Sequence, residues 1–161
     1  MQQPIVISGA GILGCYISCA LSLQGIDSIV LEKKDEEVED SIRTITLNPF
    51  SKNLLDKIGI ENDYSMINKM EVKDFDGTGK IVFKSSEIGM DHLAYVSDFA
   101  TLLMAVRKKA SEKILYKEEI IDIDKKGDLN EVTLSSGKVI KTNLIISSDG
   151  KNSKLANKIP K

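Results

Sequence analysis

The chain has 161 residues, of which 42% are hydrophobic and 29% charged, and its formal net charge is −2. This length allows one folded domain without disulfides or a structural metal, and the composition is typical of globular proteins. The small net charge excludes a general attraction to nucleic acid or anionic lipid, so partners must be sought in local features, and nucleic acid is not expected as one.

The first 32 residues predict a strand, a helix and a second strand. Residues 4–8 form a β-branched run that stops at a glycine, residues 12–24 suit a helix capped by Gly25, and Ser28–Glu32 is apolar enough for a buried strand. This order predicts a parallel βαβ unit. A membrane span over residues 5–23 is the alternative, but the three glycines and three serines inside it argue against a transmembrane segment.

Two more helices are predicted further along the chain. Residues 33–40 are strongly charged, which indicates a solvated loop. A helix should then begin after the cap Asn48, with Pro49 in its first position, and stop at Gly59. The apolar spacing predicts another helix over about 98–109.

The remaining segments predict strands and turns. A hairpin is expected around residues 76–77, and strand-like segments follow with turns at 127–128 and 136–137, which together indicate a β-meander. A last buried strand should end shortly before Asp149. Cys15 and Cys19 are expected to be buried apolar side chains rather than ligands, and no metal site is predicted.

The segment GAGILG, residues 9–14, fits the G-x-G-x-x-G pattern of dinucleotide-binding turns. In that pattern Gly9 makes the tight turn, Gly11 lets a diphosphate approach the backbone, and Gly14 packs the helix against the strand. Glu32 ends the second strand, where a carboxylate can accept hydrogen bonds from the hydroxyls of an adenosine ribose. These four residues predict dinucleotide binding, but they do not distinguish a flavin from a nicotinamide.

Three further segments resemble the flavin-dependent aromatic-ring monooxygenases, and the ubiquinone-biosynthesis hydroxylases most of all. They are SIRTITLNPFSKNLLDKIGI, HLAYVSDFATLLMAV and LIISSDGKNS. The resemblance implies that Arg43, in the first segment, contacts FAD. It also implies that Asp149, in the third, belongs to a second dinucleotide motif. The chain departs from the family at Phe99 and Ala100, where a polar or basic residue is usual, and at Ser148, where alanine is usual.

The resemblance implies a Rossmann-like α/β fold: one FAD-binding domain over residues 1–161, the amino-terminal portion of a longer family member, with a disordered tail from about residue 154. The complete enzyme would use FAD and NAD(P)H to hydroxylate a small aromatic substrate. Because the substrate-binding part is missing, this chain is not expected to be active alone, and no catalytic residue is assigned. The sole histidine, His92, is expected to be a loop residue.

Two other interpretations stay open. One is a catalytically dead remnant that keeps a dinucleotide-binding module for NAD or FAD, and the other is one half of a split enzyme completed by a second chain. Self-association into a homo-oligomer is also left open. Arg43 has an alternative role as a partner of the neighbouring acids, and Asp149 with Gly150 has one as a simple turn. The expected location is the cytoplasm, with a peripheral position on a membrane as the alternative.

Overall fold

The structure, a computed structural model, describes residues 3–37, 42–150, 153 and 155. The chain divides into two compact units. Unit 1 comprises Met1–Glu39 and Leu103–Lys161, and unit 2 comprises Asp40–Leu102. Each is described by itself.

The helices confirm the predicted positions. They are α1 (Ile12–Leu23), α2 (Pro49–Lys57) and α3 (Phe99–Ala110), and there are short 3₁₀ turns at Ser85–Ile88 and Ser111–Lys113. Gly25 follows α1 with φ of +71°, a conformation that glycine adopts without strain. The side chain of Asn48 accepts a hydrogen bond of 2.7 Å from the Ser51 N–H, so it caps α2 as its sequence position predicts.

The strands are short and distributed over four sheets. In chain order they are β1 (Ile5–Ser8), β2 (Ser28–Glu32), β3 (Thr44–Leu47), β4 (Ser65–Ile67), β5 (Lys69–Lys73), β6 (Lys80–Lys84), β7 (Ala94–Asp98), β8 (Ile114–Tyr116), β9 (Ile120–Lys126), β10 (Leu129–Leu134), β11 (Val139–Thr142) and β12 (Ile145–Ser147).

Unit 1 is built on a parallel sheet with the strand order β12-β1-β2-β8. Helix α1 packs against β1 and β2, as a βαβ unit requires. The hydroxyls of Ser18 and Ser28 lie 2.9 Å apart and join the helix to β2, and both side chains are fully buried. Ser18, one of the serines that interrupt the apolar segment, is therefore satisfied inside the core, and Ser22 is exposed on the helix surface, as expected for a helix of a folded domain rather than a membrane span.

An antiparallel meander of β9, β10 and β11 completes unit 1, as predicted. Its inner residues share a core with the parallel sheet, and the buried members are Val6, Leu31, Ile120, Val132, Leu134, Ile140 and Leu155. Leu155 falls in the segment expected to be disordered, whereas the rest of that tail, 154 and 156–161, lies outside the described residues. The predicted tail therefore stays a prediction.

Unit 2 contains two antiparallel sheets, one in the order β3-β7-β4 and the other a β5–β6 hairpin. The hairpin confirms the prediction around residues 76–77. The strands β4, β7 and β8 were not anticipated, because each forms by pairing with a strand from elsewhere in the chain and not with a neighbour in a tight hairpin. Of the predicted charged loop, residues 38–40 lie outside the described residues.

Candidate functional site

The three glycines of the turn between β1 and α1 occupy three different environments. Gly9 has φ of +101°, and a Cβ added there would lie 2.7 Å from the Ser148 carbonyl oxygen. A Cβ added at Gly14 would overlap the carbonyl oxygen of Gly9. At Gly11 an added Cβ meets no atom within 4 Å. The turn is therefore closed against the protein at its two ends and open at its centre.

Gly11 is also the N-cap of α1. Its φ of −74° and ψ of 178° are extended, and its carbonyl accepts the hydrogen bond of the Cys15 N–H. Because glycine has no side chain, it cannot cap the first N–H groups of the helix as serine or aspartate would. The positive end of the helix dipole consequently meets the open centre of the turn, an arrangement suited to an anion.

Glu32 ends β2 and its side chain is directed at the glycine turn. Its Oε2 accepts a hydrogen bond of 3.1 Å from the Ala10 N–H, and its Oε1 accepts one of 3.0 Å from the Lys34 N–H. The residue is 9% exposed. The structure thus brings together the glycine turn and the carboxylate that the sequence pairs across some twenty residues.

Arg107 was not predicted as a residue of this site. It lies in the last turn of α3, where the sequence indicates only a favourable charge for the helix dipole. In the structure its Nε donates to the Ala10 carbonyl at 2.9 Å and its Nη2 lies 3.4 Å from Glu32 Oε2. No local pattern could have revealed this contact, since the two residues are 75 positions apart.

Ser148, one of the departures from the family pattern, is hydrogen-bonded to the residues that enter the glycine turn. Its hydroxyl lies 2.8 Å from the Ser8 carbonyl oxygen and 3.0 Å from that of Gly9, and its N–H donates to Ser8 as β12 pairs with β1. The hydroxyl therefore gives the end of β1 an additional hydrogen bond that alanine would lack.

Asp149 follows β12 and is held by serines of its own segment. Its Oδ1 accepts a hydrogen bond of 2.6 Å from Ser147, whose hydroxyl lies 3.1 Å from that of Ser153. Burial, the largest single influence, opposes ionisation, but hydrogen bonds from Ser147 and Ser153 outweigh it and lower the pKa of Asp149. Gly150 has φ of +83°, so the segment is also a turn.

Arg43 belongs to unit 2, and the structure shows it within that unit only. Its guanidinium carbon lies 4.4 Å from the centre of the Phe99 ring, and its carbonyl accepts a hydrogen bond of 2.9 Å from the Phe99 N–H. Phe99, another departure from the family pattern, is thus the stacking partner of this arginine. The acids at 39 and 40, with which an ion pair was the alternative, lie outside the described residues.

The two cysteines and the histidine contact other parts of the fold and are not assigned to the nucleotide site. Cys15 and Cys19 are free and buried, and burial is the main reason that the pKa of Cys15 is raised to about 12. The Nδ1 of His92 lies 2.6 Å from Asn68 Oδ1, beside the ring of Tyr95. Among the helices of the described residues, none has the length and apolar character needed to cross a membrane.

A glycine-rich turn from a parallel strand into a helix, with an acid at the end of the next strand, defines a dinucleotide-binding α/β fold. The chain belongs to the FAD binding domain family, whose model matches residues 2–161. FAD is therefore the cofactor of the family, and the expected Rossmann-like fold is confirmed.

Two curated relatives carry names from ubiquinone biosynthesis. "Ubiquinone biosynthesis monooxygenase COQ6, mitochondrial" of Danio rerio is 26% identical over 177 residues, which cover 92% of this chain and 36% of that protein. "3-demethoxyubiquinol 3-hydroxylase" of Escherichia coli is 26% identical over 170 residues, with 96% and 43% covered. The chain therefore spans less than half the length of these relatives, and it resembles the predicted branch of the family.

Solved structures with the same fold include two monooxygenases from Pseudomonas. PqsL of Pseudomonas aeruginosa, titled a probable FAD-dependent monooxygenase, has a TM-score of 0.81 at 19% identity, covering 98% of this chain and 45% of that one. The p-nitrophenol 4-monooxygenase PnpA of Pseudomonas putida has a TM-score of 0.79 at 17% identity, covering 98% and 43%. At these identities the likeness establishes the fold.

Proposed function

We propose that the chain is the FAD-binding part of an FAD-dependent monooxygenase of the ubiquinone-biosynthesis type. The family and the names of the curated relatives support this assignment. In the proposal, residues 1–161 act as one FAD-binding domain, and hydroxylation of a small aromatic molecule requires the further sequence that the relatives possess. The chain by itself is expected to bind FAD without hydroxylating a substrate.

The observation that carries the proposal is the contrast among the three glycines. Gly9 and Gly14 are pressed against protein backbone, whereas the position that a Gly11 side chain would take is open. A diphosphate needs this shape, because its oxygens must come within hydrogen-bonding distance of backbone N–H groups. Glycines of ordinary turns, such as Gly127 and Gly137, are open as well, but the open position of Gly11 lies at the N-terminus of a twelve-residue helix, where an anion is favoured.

Glu32 is proposed to bind the adenosine ribose. A carboxylate has about four lone-pair positions, and the Ala10 N–H, the Lys34 N–H and Arg107 occupy up to three of them. One position therefore remains for a ribose hydroxyl without any rearrangement. The negative charge also disfavours a phosphate on the ribose, in agreement with FAD rather than a 2′-phosphorylated dinucleotide.

Arg43 and Asp149 are proposed to support the rest of FAD. An exposed guanidinium stacked on Phe99 can bind phosphate. The ionised Asp149 can accept hydrogen bonds from ribityl hydroxyls. FAD supplies the redox chemistry when it is bound, while the residues of this chain bind and orient it. None of them is assigned a proton-transfer step.

The reductant and the location are further parts of the proposal. NAD(P)H is the proposed electron donor of the complete enzyme. The cytoplasm or a membrane surface is the proposed location, although the Danio rerio relative is mitochondrial by name. Reduction of the FAD-loaded protein by NADPH or NADH, followed through the loss of flavin absorbance, tests the donor in a longer protein that includes the remaining family sequence.

The visible absorption spectrum of the purified protein tests FAD binding directly. The protein should be yellow as isolated or become so after FAD is added and excess is removed, with bound flavin in stoichiometric amount. Protein that stays colourless with FAD but binds NAD would overturn the flavin assignment. Protein that binds neither would leave the dead remnant as the better interpretation.

Substitution of Glu32 tests the ribose contact. Glu32→Ala should weaken FAD binding by at least about tenfold, because a charge-assisted hydrogen bond is lost. Glu112→Ala, an exposed acid of unit 1 in the Ser111–Lys113 turn, is the matched control and should bind like wild type. Fluorescence titration of FAD measures both. Equal affinities for wild type and Glu32→Ala would remove Glu32 from the site.

A second candidate function is one half of a split enzyme, and one feature of unit 2 favours it. The cross-strand pairs Met70 with Phe83 and Val72 with Ile81 place four apolar side chains on one face of the β5–β6 hairpin. They are between 39% and 58% exposed. Co-expression with a neighbouring reading frame that encodes the remaining family sequence should then yield a copurifying complex, and failure to associate would count against this candidate.

A further inference from the structure

Arg107 contacts three different parts of the nucleotide-binding end of unit 1. Its Nε donates to the Ala10 carbonyl at 2.9 Å, its Nη1 donates to the Glu36 carbonyl at 3.2 Å, and its Nη2 lies 3.4 Å from Glu32 Oε2. The side chain is only 11% exposed. One guanidinium thus joins the glycine turn, the carboxylate at the end of β2 and the chain that leaves β2.

The contact with Ala10 fixes the orientation of a peptide group in the glycine turn. The N–H of Ala10 donates to Glu32 and its carbonyl accepts from Arg107, so both sides of this residue are held. In a trans peptide the carbonyl and the following N–H point in opposite directions. The N–H of Gly11 therefore points away from Arg107. Gly11 is also the glycine of the turn at which an added Cβ would meet no atom within 4 Å.

We propose that Arg107 is a positioning residue for binding of the adenosine diphosphate half of FAD. It holds the Ala10–Gly11 peptide so that the Gly11 N–H is available to a phosphate, and it holds Glu32 in the place where a ribose hydroxyl can reach it. This inference rests on the proposed function and adds a residue from α3 to it. Arg107 acts through its neighbours and need not touch the ligand.

An arginine suits this position better than other side chains. Its planar fork presents donors in several fixed directions, so one side chain can serve a backbone carbonyl and a carboxylate together. Its guanidinium carbon also lies 5.7 Å from the centre of the Tyr116 ring, which restricts its orientation. A lysine has the charge and three N–H donors, but all three belong to one nitrogen, which cannot come within hydrogen-bonding distance of the three separate acceptors that Nε, Nη1 and Nη2 reach.

The test compares Arg107→Met with Lys108→Met in the 161-residue chain. Methionine keeps much of the arginine stem while removing the donors, and Lys108 is an exposed neighbour on the same helix. Arg107→Met should lower the affinity for both FAD and ADP by about 10- to 100-fold, the range expected for a lost charged hydrogen bond. Lys108→Met should bind both ligands like wild type.

Two readouts separate positioning from a general loss of structure. The backbone amide resonance of Gly11 should shift in ligand-free Arg107→Met and stay in place in Lys108→Met, because the peptide orientation changes only in the former. In a double-mutant cycle with Glu32→Gln, the double variant should lose less FAD affinity than the product of the single losses. Arg107→Lys, which retains the charge, should still bind at least severalfold more weakly than wild type.

The possible failures are distinguishable. If wild type binds neither FAD nor ADP, the proposed function fails and this inference fails with it. If wild type binds and either Arg107→Met or Arg107→Lys binds equally well, only the inference is overturned. Multiplicative losses in the cycle together with an unmoved Gly11 resonance would also overturn it. If Arg107→Met does not fold, as judged by circular dichroism, the Arg107→Lys variant decides the question by the same measurements.

Discussion

The parallel sheet of unit 1 and the β5–β6 hairpin of unit 2 differ in how well their strands are covered. In unit 1 the parallel strands are covered, so that Val6 and Val30 are fully buried and Leu31 is 1% exposed. In unit 2 every residue of β5 is exposed, and in β6 only Val82 is partly covered. A two-stranded hairpin without cover is marginal in water, whereas a sheet with apolar residues buried around it can be stable by itself.

This difference explains why the most exactly placed residues of the site lie in unit 1. Gly9 and Glu32 lie at the carboxyl ends of β1 and β2, strands whose side chains are buried, so their positions are fixed by packing. Arg43 precedes the first strand of unit 2 and is exposed. The position of Arg43 therefore depends on the pairing of β3 with β7 and on stacking against Phe99 rather than on burial of its own side chain.

The largest expected effect is the loss of stability when a buried side chain of unit 1 is removed, compared with a half-exposed one of the β5–β6 hairpin. Leu134→Ala removes a fully buried side chain of unit 1 and should lower the free energy of unfolding by about 3–4 kcal/mol through lost burial and a cavity. Phe83→Ala removes a side chain of unit 2 that is 48% exposed and should cost about 1 kcal/mol or less. Urea denaturation measures both. Equal costs would show that the hairpin is covered as well as the core is.

A second prediction contrasts two glycines of the same turn. Gly14→Ala places a Cβ against the Gly9 carbonyl and should destabilise the protein by about 2–3 kcal/mol. Gly11→Ala enters open space in an extended conformation and should change stability by less than about 0.5 kcal/mol.

The effect of Gly11→Ala on FAD binding should be large even though its effect on stability is small. Gly11→Ala should still weaken FAD binding by about tenfold or more, since its methyl group occupies the space proposed for the diphosphate. Thermal unfolding and FAD titration on both variants measure this. A Gly11→Ala protein that is stable and binds FAD normally would show that the open space serves another purpose.

The smallest expected effect concerns the charge on Asp149. Since its pKa is lowered in the folded protein, ionisation stabilises the fold at pH values above the ordinary aspartate pKa of about 3.9. That contribution should be lost as the pH falls through the lower folded value. The gap in unfolding free energy between wild type and Asp149→Asn should therefore be constant from about pH 7 to about pH 5 and shrink below about pH 4.

Asp128→Asn is the control for this titration. Asp128 is an exposed aspartate of unit 1 between β9 and β10. Comparison of the two variants separates the effect of the Ser147 contact from that of removing one negative charge. If Asp149→Asn differs from wild type by the same amount at all pH values, the serine hydrogen bonds do not depend on the charge.

Much of the fold could be predicted because local patterns determine it. The β-branched run before Gly9, the cap at Asn48 and the positive-φ glycine after α1 each specify an element through the conformations that a few neighbouring residues allow. The strands β4, β7 and β8 were missed because their own residues carry no clear strand pattern and their formation depends on partner strands that are not adjacent in the sequence.

The candidate site divides in the same way. The spacing of Gly9, Gly11 and Gly14 and the acid at Glu32 were available from the sequence, because each follows from the geometry of a single βαβ unit. The contacts of Ser148 and Arg107 with that unit were decided by tertiary structure alone. Ser148 follows β12 and Arg107 lies in α3, and only the folding of the chain brings them to the glycine turn, since no local rule relates residues 97 or 140 positions apart.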